Sequence, residues 1–342
     1  MGKYVIEVTS GQKNTAGEKA KEDISNILHR QGFEKLALRI SQSKFRKAIS
    51  SGYQISKKTR LLNNEDIAIV QYPIYSNFVL KKLLKMLIKK AVHVIGFVHD
   101  IEFLRTNKNN EKKRLAEVTL LNNFEILIVH NESMREKLRE NGVVVPMVSL
   151  HIFDYLNDHC FVKRNKDEGV IYAGNLSKAG FLEKWDTKFK LTLYGINPSK
   201  ESYCKNTVYR GIKRPDDLPA YLDSGFGLVW DGDSLKDGTG VYGEYTKYNN
   251  PHKTSLYLSC GLPVIVWKNS AIASFVKANN VGITVENLLN ISQCLEDISD
   301  GEYEVLCKNA ERIGNEIRSG FYTCDAVNRA LKIILKKKRL VN

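Results

Sequence analysis

Proline is scarce in this sequence, seven in 342 residues, and nowhere do ~18 apolar side chains run uninterrupted. Few prolines alongside 43% hydrophobic residues exclude a disordered or collagen-like chain. The missing apolar run excludes a membrane-spanning helix. MGKYVIEVTS, at the start, has neither the apolar stretch nor the small-residue cleavage site of a signal peptide, so a cytoplasmic protein is expected. The six cysteines, at 160, 204, 260, 294, 307 and 324, never stand as C-x-x-C. That removes a zinc knuckle and a thioredoxin-like pair and leaves reduced thiols as the expectation. Also absent are G-x-x-x-x-G-K-[ST], a G-x-G-x-x-G after the first strand, G-x-S-x-G and H-E-x-x-H. Their absence speaks against P-loop phosphoryl transfer, an ordinary dinucleotide fingerprint, a serine-hydrolase elbow and a zinc protease.

What the sequence does have is positive charge: 52 Lys and Arg against 38 Asp and Glu, a formal +14. Three acidic partners fit such a balance: nucleic acid, an anionic membrane surface or a phosphate-bearing small substrate. No aromatic residues interleave with the basic ones in a reader motif, so no nucleic-acid partner is expected. Length alone predicts two domains.

Short β-rich runs alternate with helical patterns throughout, the mark of parallel βαβ units and an α/β fold. In the first half, strands are predicted over 4–8, 35–40, 66–71, 92–98 and 125–130, with helices over 16–30, 77–90, 112–122 and 133–140. Glu140-Asn141-Gly142 supplies a helix stop. The stretch 149–155 and the polar run 163–168 read as a linker. In the second half, strands fit 169–173, 191–194, 207–209, 225–230, 263–267 and 282–285. Helices fit 216–224, 251–259, 270–278 and 291–298, and a long helical pattern runs from 302 to the end. Two doubly wound, Rossmann-like domains facing a cleft are therefore expected, over 1–155 and 156–320, with a closing helix over 321–342. Ligands of such sheets bind beyond the carboxyl ends of the strands.

Three polar clusters stand at such ends. Gly174-Asn175-Leu176-Ser177-Lys178 follows an apolar strand and has the glycine, amide and ammonium that meet phosphate or sugar hydroxyls. The same residue types also serve a plain βα turn. A second cluster joins Trp230-Asp231-Gly232-Asp233-Ser234 to Asn249-Asn250-Pro251-His252-Lys253-Thr254. Asn250 as N-cap and Pro251 at the first helical position would open a helix whose free N–H groups, with Lys253, suit an anion. An ordinary capped helix with a solvated lysine uses those residues too. The third is His99-Asp100-Ile101-Glu102, where a carboxylate at a strand end suits a general base, although Asp and His there are commonly turn residues.

On these residues, YAGNLSK (172–178), LYG (193–195), RPDDLP (214–219), GFGLVWDGDS (225–234), NNPHKTSLYLS (249–259) and GLPVIVW (261–267), the sequence resembles the bacterial β-1,6-galactofuranosyltransferase family. It is also similar to the glucosyltransferases that extend O-linked N-acetylglucosamine on serine-rich adhesins. HDIEFLR (99–105) and VHNESMREKL (129–138) extend the resemblance into the first half. The resemblance implies a GT-B fold, with the donor nucleotide sugar held by the second domain and the acceptor by the first. It implies transfer of a hexose from a UDP-sugar to a hydroxyl of a growing cell-surface glycan, without a metal or other cofactor. UDP-galactofuranose is the first expected donor. UDP-glucose transfer to an O-linked glycoprotein, or a non-catalytic nucleotide-sugar-binding partner, are the alternatives.

By the same resemblance Lys253 would hold the diphosphate with Lys178, while Asn175, Asn250 and Thr254 line the donor pocket. Lys213 and Arg214 would flank the base or ribose, Thr15 would face the donor from the first domain, and Trp230 and Asp231 would meet the sugar. Retaining GT-B enzymes often carry E-x7-E ahead of the GLPV turn. Tyr248 and Leu256 occupy those places here, which argues for inversion. Asp100 is the expected base, with His99 next.

The segment 78–91, FVLKKLLKMLIKKA, sets Leu80, Leu83, Leu84, Leu87 and Ala91 on one stripe and five lysines outside it. A core-facing helix with a solvated lysine face accounts for the pattern. A peripheral contact with the inner face of the cell membrane, beside a lipid-diphosphate-linked acceptor, is the alternative. A homo-oligomer is compatible with either.

Overall fold

The structure, a computed structural model, describes residues 1–9, 16–39, 44–74, 76–199 and 203–341, with their side chains apart from those of 8, 9, 16, 39, 44–51 and 338–341. Thr15 lies outside the described residues. The chain divides into two compact units, Met1–Lys13, Lys21–Leu150 and Tyr322–Asn342 in the first, Asn14–Ala20 and His151–Phe321 in the second.

The first unit holds a parallel sheet of six strands, β1 (Lys3–Thr9), β2 (Glu34–Arg39), β3 (Ile67–Tyr72), β4 (His93–Val98), β5 (Ile126–Val129) and β6 (Met147–Ser149), ordered β2-β1-β3-β4-β5-β6. β3 and β5 are buried at every residue, as strands covered on both faces must be, which is why they read as continuous apolar runs. The crossovers are α1 (Ala16–Arg30), α2 (Lys44–Thr59), α3 (Asn77–Lys89), the pair α4 (Glu102–Arg105) and α5 (Glu111–Leu121), and α6 (Glu132–Glu140). α3 turns Val79, Leu80, Leu83, Leu84 and Leu87 into the core, so its apolar stripe is used in packing. Ala91 falls beyond the helix, with a positive φ of 54°.

The second unit holds β7 (Val170–Asn175), β8 (Leu191–Ile196), β9 (Thr207–Tyr209), β10 (Phe226–Val229), β11 (Val264–Trp267) and β12 (Gly282–Val285), all parallel and ordered β12-β11-β10-β7-β8-β9. The chain enters at β7 in mid-sheet, runs out to β9, returns to β10 and runs out the other way. The direction therefore reverses between β7 and β10, and the carboxyl ends of those neighbours open the crevice where such sheets take ligands. The helices are α7 (Gly240–Tyr245), α8 (His252–Ser259), α9 (Ala273–Asn279), α10 (Ile291–Glu296) and α11 (Asp300–Ser319); α12 (Phe321–Val341) follows in the chain and, from Tyr322 on, belongs to the first unit.

Three expectations need correction. No α-helix forms over 216–224: with Pro219 in its first turn, this stretch holds only a 3₁₀ turn over Leu218–Tyr221. The final helical pattern is two helices. A Ser299/Glu302 capping box starts α11 at Asp300, and Gly320, at φ 81°, ends it before α12. A strand not expected, β6, runs up to the first residue of the expected linker, Ser149, and Arg164 from the linker's polar run donates to the carbonyls of Leu222 and Cys260.

One buried carboxylate organises the end of the first sheet. Glu117, on α5, accepts from the Tyr72 hydroxyl at 2.6 Å and from the backbone N–H groups of Glu102 and Phe103 at 3.0 and 2.8 Å. It thereby ties the end of β3 to the start of α4, just after Asp100. Burial raises its carboxyl above the ordinary value, and the hydroxyl and backbone donors pull it partly back. Replacing Glu117 by Ala strands three donors, and a loss of about 3 kcal/mol or more is expected in urea unfolding. Glu117→Gln should recover part of it, because an amide carbonyl in the place of Oε1 still accepts from the Tyr72 hydroxyl and the Glu102 N–H, while the Phe103 N–H loses its acceptor. An unchanged unfolding midpoint in the alanine variant would contradict this role.

Candidate active site

Lys253 and Tyr257 stand four residues apart on α8, so their side chains share a face. β7 registers on β10 only at Val170 and Ile171. Two residues on, the Ala173 N–H donates to the Tyr257 hydroxyl at 2.8 Å. The Tyr257 ring lies on Gly227 of β10, where a Cβ would come within 2.4 Å of it. This anchor sets the orientation of α8, and one turn earlier Lys253 reaches over the end of β7. There a Cβ on Gly174 would stand 3.9 Å from the lysine side chain. On the neighbouring strand a Cβ on Gly195 would fall 1.7 Å from the Gly174 carbonyl oxygen. Gly174 therefore leaves the backbone near the end of β7 open beside the lysine, while Gly195 lets β8 lie against the Gly174 carbonyl.

Asp231, two residues past β10, closes the group. Lys253 Nζ lies 2.8 Å from Asp231 Oδ1, with the two side chains 15% and 16% exposed. The Tyr172 hydroxyl donates to the same oxygen at 3.1 Å and accepts from Lys253 at 3.4 Å. The ammonium also sits 4.9 Å from the Tyr172 ring centroid. Burial, and then the Asp231 charge, push the Tyr172 phenol well above its ordinary range, so it stays a neutral donor. A lysine, a carboxylate and a phenol thus converge between β7 and β10, at the point where strand order reverses.

The other expected residues fall at varying distances from this role. Lys178 places its ammonium 4.8 Å over the Tyr242 ring, and its carbonyl accepts from the Gly232 N–H, so the β7 and β10 loops are joined. Asn175 spends its carbonyl oxygen on the Ser177 N–H, the Ser177 hydroxyl and the Asn197 amide. Lys213 lies 4.0 Å over the Tyr221 ring, beyond β9, while Arg214 pairs loosely with Asp217. Trp230 is packed edge-on against Trp267 and gives its indole N–H to the Ser234 carbonyl, so it offers no hydrogen bond to a sugar.

Asn250 is not the N-cap of α8. Pro251 takes that place in extended conformation, and the Asn250 amide donates to the His151 carbonyl. Thr254 is wholly buried, and its hydroxyl has no hydrogen-bond partner among the described residues. It faces the protein interior rather than a ligand.

In the first unit, His99 is buried and its Nε2 meets the Gln71 side-chain oxygen at 2.8 Å, so it serves the sheet. Asp100 is half-buried after β4, and its Oδ2 accepts from Arg105 at 2.7 Å. Among the described residues, no three His, Cys, Asp or Glu side chains converge as a metal-binding group.

Sequence reasoning missed Tyr172, Tyr257 and the pair Gly174/Gly195 as a unit. Tyr172 reads as one more apolar strand residue. The i, i+4 spacing of Lys253 and Tyr257 was the available signal for the anchor.

Known proteins resemble the chain in both sequence and fold. The sequence model described as "Glucosyltransferase 3-like, N-terminal domain" matches residues 2–152, and "Glucosyltransferase 3-like, C-terminal domain" matches residues 170–330. The chain is 32% identical to the beta-1,6-galactofuranosyltransferase WbbI of Escherichia coli (strain K12), over 79% of this chain and 80% of that one. It is 25% identical to glucosyltransferase 3 of Streptococcus gordonii, over 89% and 90% of the two chains. Among solved structures, an alpha-glucosyltransferase in complex with UDP superposes with a TM-score of 0.61 at 12% identity, covering 98% of this chain and 100% of the other. The last likeness shows the fold, GT-B.

His252 yields a prediction about acid stability. It opens α8 beside Lys253, with its ring 4.4 Å from that of Phe153, and burial lowers its pKa from 6.5 to about 4. The unfolded imidazole takes a proton below pH 6.5, whereas the folded one resists until about pH 4. Stability from this group is thus present above pH 6.5 and is lost as pH falls toward 4. Thermal melts across this window should show a shallower acid decline for His252→Gln than for the native chain. Equal slopes would rule His252 out as a source of acid sensitivity.

Proposed function

The chain belongs to the glucosyltransferase 3-like family of GT-B glycosyltransferases, and from that premise we propose that it moves galactofuranose from UDP-galactofuranose to a glycan hydroxyl. Support for the sugar comes from the identity to the galactofuranosyltransferase, 32%, against 25% to the glucosyltransferase. The observation that carries the site assignment is Lys253, fixed by Asp231 and Tyr172 over the bare end of β7. A diphosphate there would receive the ammonium and compete with Asp231 for it, and Lys178 stands on the adjoining loop. Lys213 over Tyr221, past β9, is a basic and aromatic pairing that suits the nucleoside. We assign the charge of the departing UDP to these lysines and not to a metal.

In this reaction the acceptor oxygen attacks the anomeric carbon as its bond to UDP breaks. The diphosphate leaves with the electron pair, and a base takes the hydroxyl proton. Tyr248 and Leu256, in place of paired glutamates, support a single in-line attack with inversion. Asp100 is the base we assign, held in orientation by Arg105 and by the Glu117 tie two residues beyond it.

Two measurements test this account. Incubation of the purified protein with UDP-galactofuranose, UDP-galactose or UDP-glucose in separate reactions, read by product mass, should give transfer from the first alone. Transfer from UDP-glucose alone would select the glucosyltransferase alternative. UDP binding without transfer from any donor would select the non-catalytic one. Asp100→Asn should lower turnover by about 10²–10⁴-fold while UDP affinity is unchanged. Near-normal turnover in that variant removes Asp100 from the mechanism.

A further inference from the structure

We propose that the solvent faces of α2 and α3 form a docking surface for an anionic lipid bilayer. The two helices follow β2 and β3, whose connections step the same way across the sheet, so they lie side by side on one face of it. Their contact is direct: Thr59 donates to the Met86 sulfur at 3.0 Å, and the missing side chain of Gly52 leaves Lys82 Nζ 3.5 Å from where a Cβ would stand. The inward residues of α3 are already committed to the core, as is Ile55 of α2. Any partner must therefore meet the outward faces.

Those faces are unusual in two respects. Neither helix contains a single acidic residue, although basic residues recur along both. Surface charges of both signs are normally interspersed, and a one-sign field raises self-repulsion. The large apolar side chains exposed there are also not scattered. Phe78, Lys81, Lys82, Lys85 and Ile88 of α3 follow one helical stripe, with its two apolar members 51% and 50% exposed. On α2, Tyr53 and Lys57 share a face, with Tyr53 70% exposed, and Leu61, in the turn two residues past the helix, is 62% exposed. The α3 stripe is basic in the middle and apolar at both ends.

An anionic bilayer matches that pattern. Headgroups answer the lysines, while the aromatic and aliphatic ends reach the boundary between headgroup and acyl chain. A soluble polyanion would answer only the charge. Because the apolar stripe of α3 stays in the core, docking is shallow, reversible and strongly salt-dependent. The inference is independent of which sugar is transferred and goes beyond the catalytic assignment.

The test is co-sedimentation of the full chain with vesicles of phosphatidylcholine alone or mixed with phosphatidylglycerol, at low and high salt. Binding should require phosphatidylglycerol and fall with salt. The triple variant Lys81→Glu, Lys82→Glu, Lys85→Glu should weaken partitioning by at least about a hundredfold. A control of equal net charge, Lys205→Glu, Lys236→Glu, Lys308→Glu, changes exposed lysines of the second unit and should bind nearly as the native chain does. Phe78→Ser with Ile88→Ser should weaken binding to vesicles while leaving retention on a heparin column intact. Circular dichroism of each variant checks folding. Absence of binding to phosphatidylglycerol vesicles, equal loss in the control, or no effect of the Phe78/Ile88 pair would each overturn the proposal.

Discussion

An ammonium group drawn most of the way out of water has to be matched by a nearby negative charge, and in the second unit Asp231 does this for Lys253 at 2.8 Å. The pair forms only because three elements meet: the loop after β10, the carboxyl end of β7 and the first turn of α8. Removing either partner would leave a poorly solvated charge, so the geometry around the pair is tightly specified. Tyr172 adds to this, because its phenol gives its proton to Asp231 and its oxygen to Lys253. An arriving phosphate finds an ammonium already aimed, and the carboxylate that held it is the group it must displace.

The position of this cluster is a property of the sheet. Strand order β12-β11-β10-β7-β8-β9 places a reversal between β7 and β10. Gly174 then keeps a side chain from beside the lysine, Gly195 lets β8 lie against the Gly174 carbonyl, and Gly227 lets Tyr257 sit close enough to accept from β7. Further along α8, a Cβ on Gly314 of α11 would come within 2.4 Å of the Leu258 carbonyl, so α11 lies hard against it. Arg318 of the same helix donates to the Ser259 carbonyl. The lysine is aimed by contacts at both ends of the helix that carries it.

Much of this was legible in the sequence, and the exceptions have physical causes. The buried strands β3, β4, β5 and β11 announce themselves as apolar runs, and Asn141-Gly142 ends α6 where expected. Lys253 and Asp231 stand in one polar cluster of the sequence, but their ion pair was not legible there, since the two residues are 22 positions apart and meet only when α8 is laid over the end of β7. Asn250 and Trp230 misled because their residue types suit ligands. In the fold, both spend their polar groups on backbone carbonyls. Glu117 left no local signature: its three donors come from residues 14, 15 and 45 positions away. α2 was passed over because polar and basic residues dominate its sequence, KFRKAISSGYQISKKT, although its apolar residues keep a helical spacing.

The excess of positive charge thus divides between a few lysines assigned to a diphosphate and a basic helical face on the other unit. Titration calorimetry of UDP, UMP and uridine with the native chain and with Lys253→Met tests the first and central assignment most directly. The account predicts that the variant loses most of its affinity for UDP while its weak affinity for uridine is unchanged. Equal loss for all three ligands, or undiminished UDP binding, would contradict it.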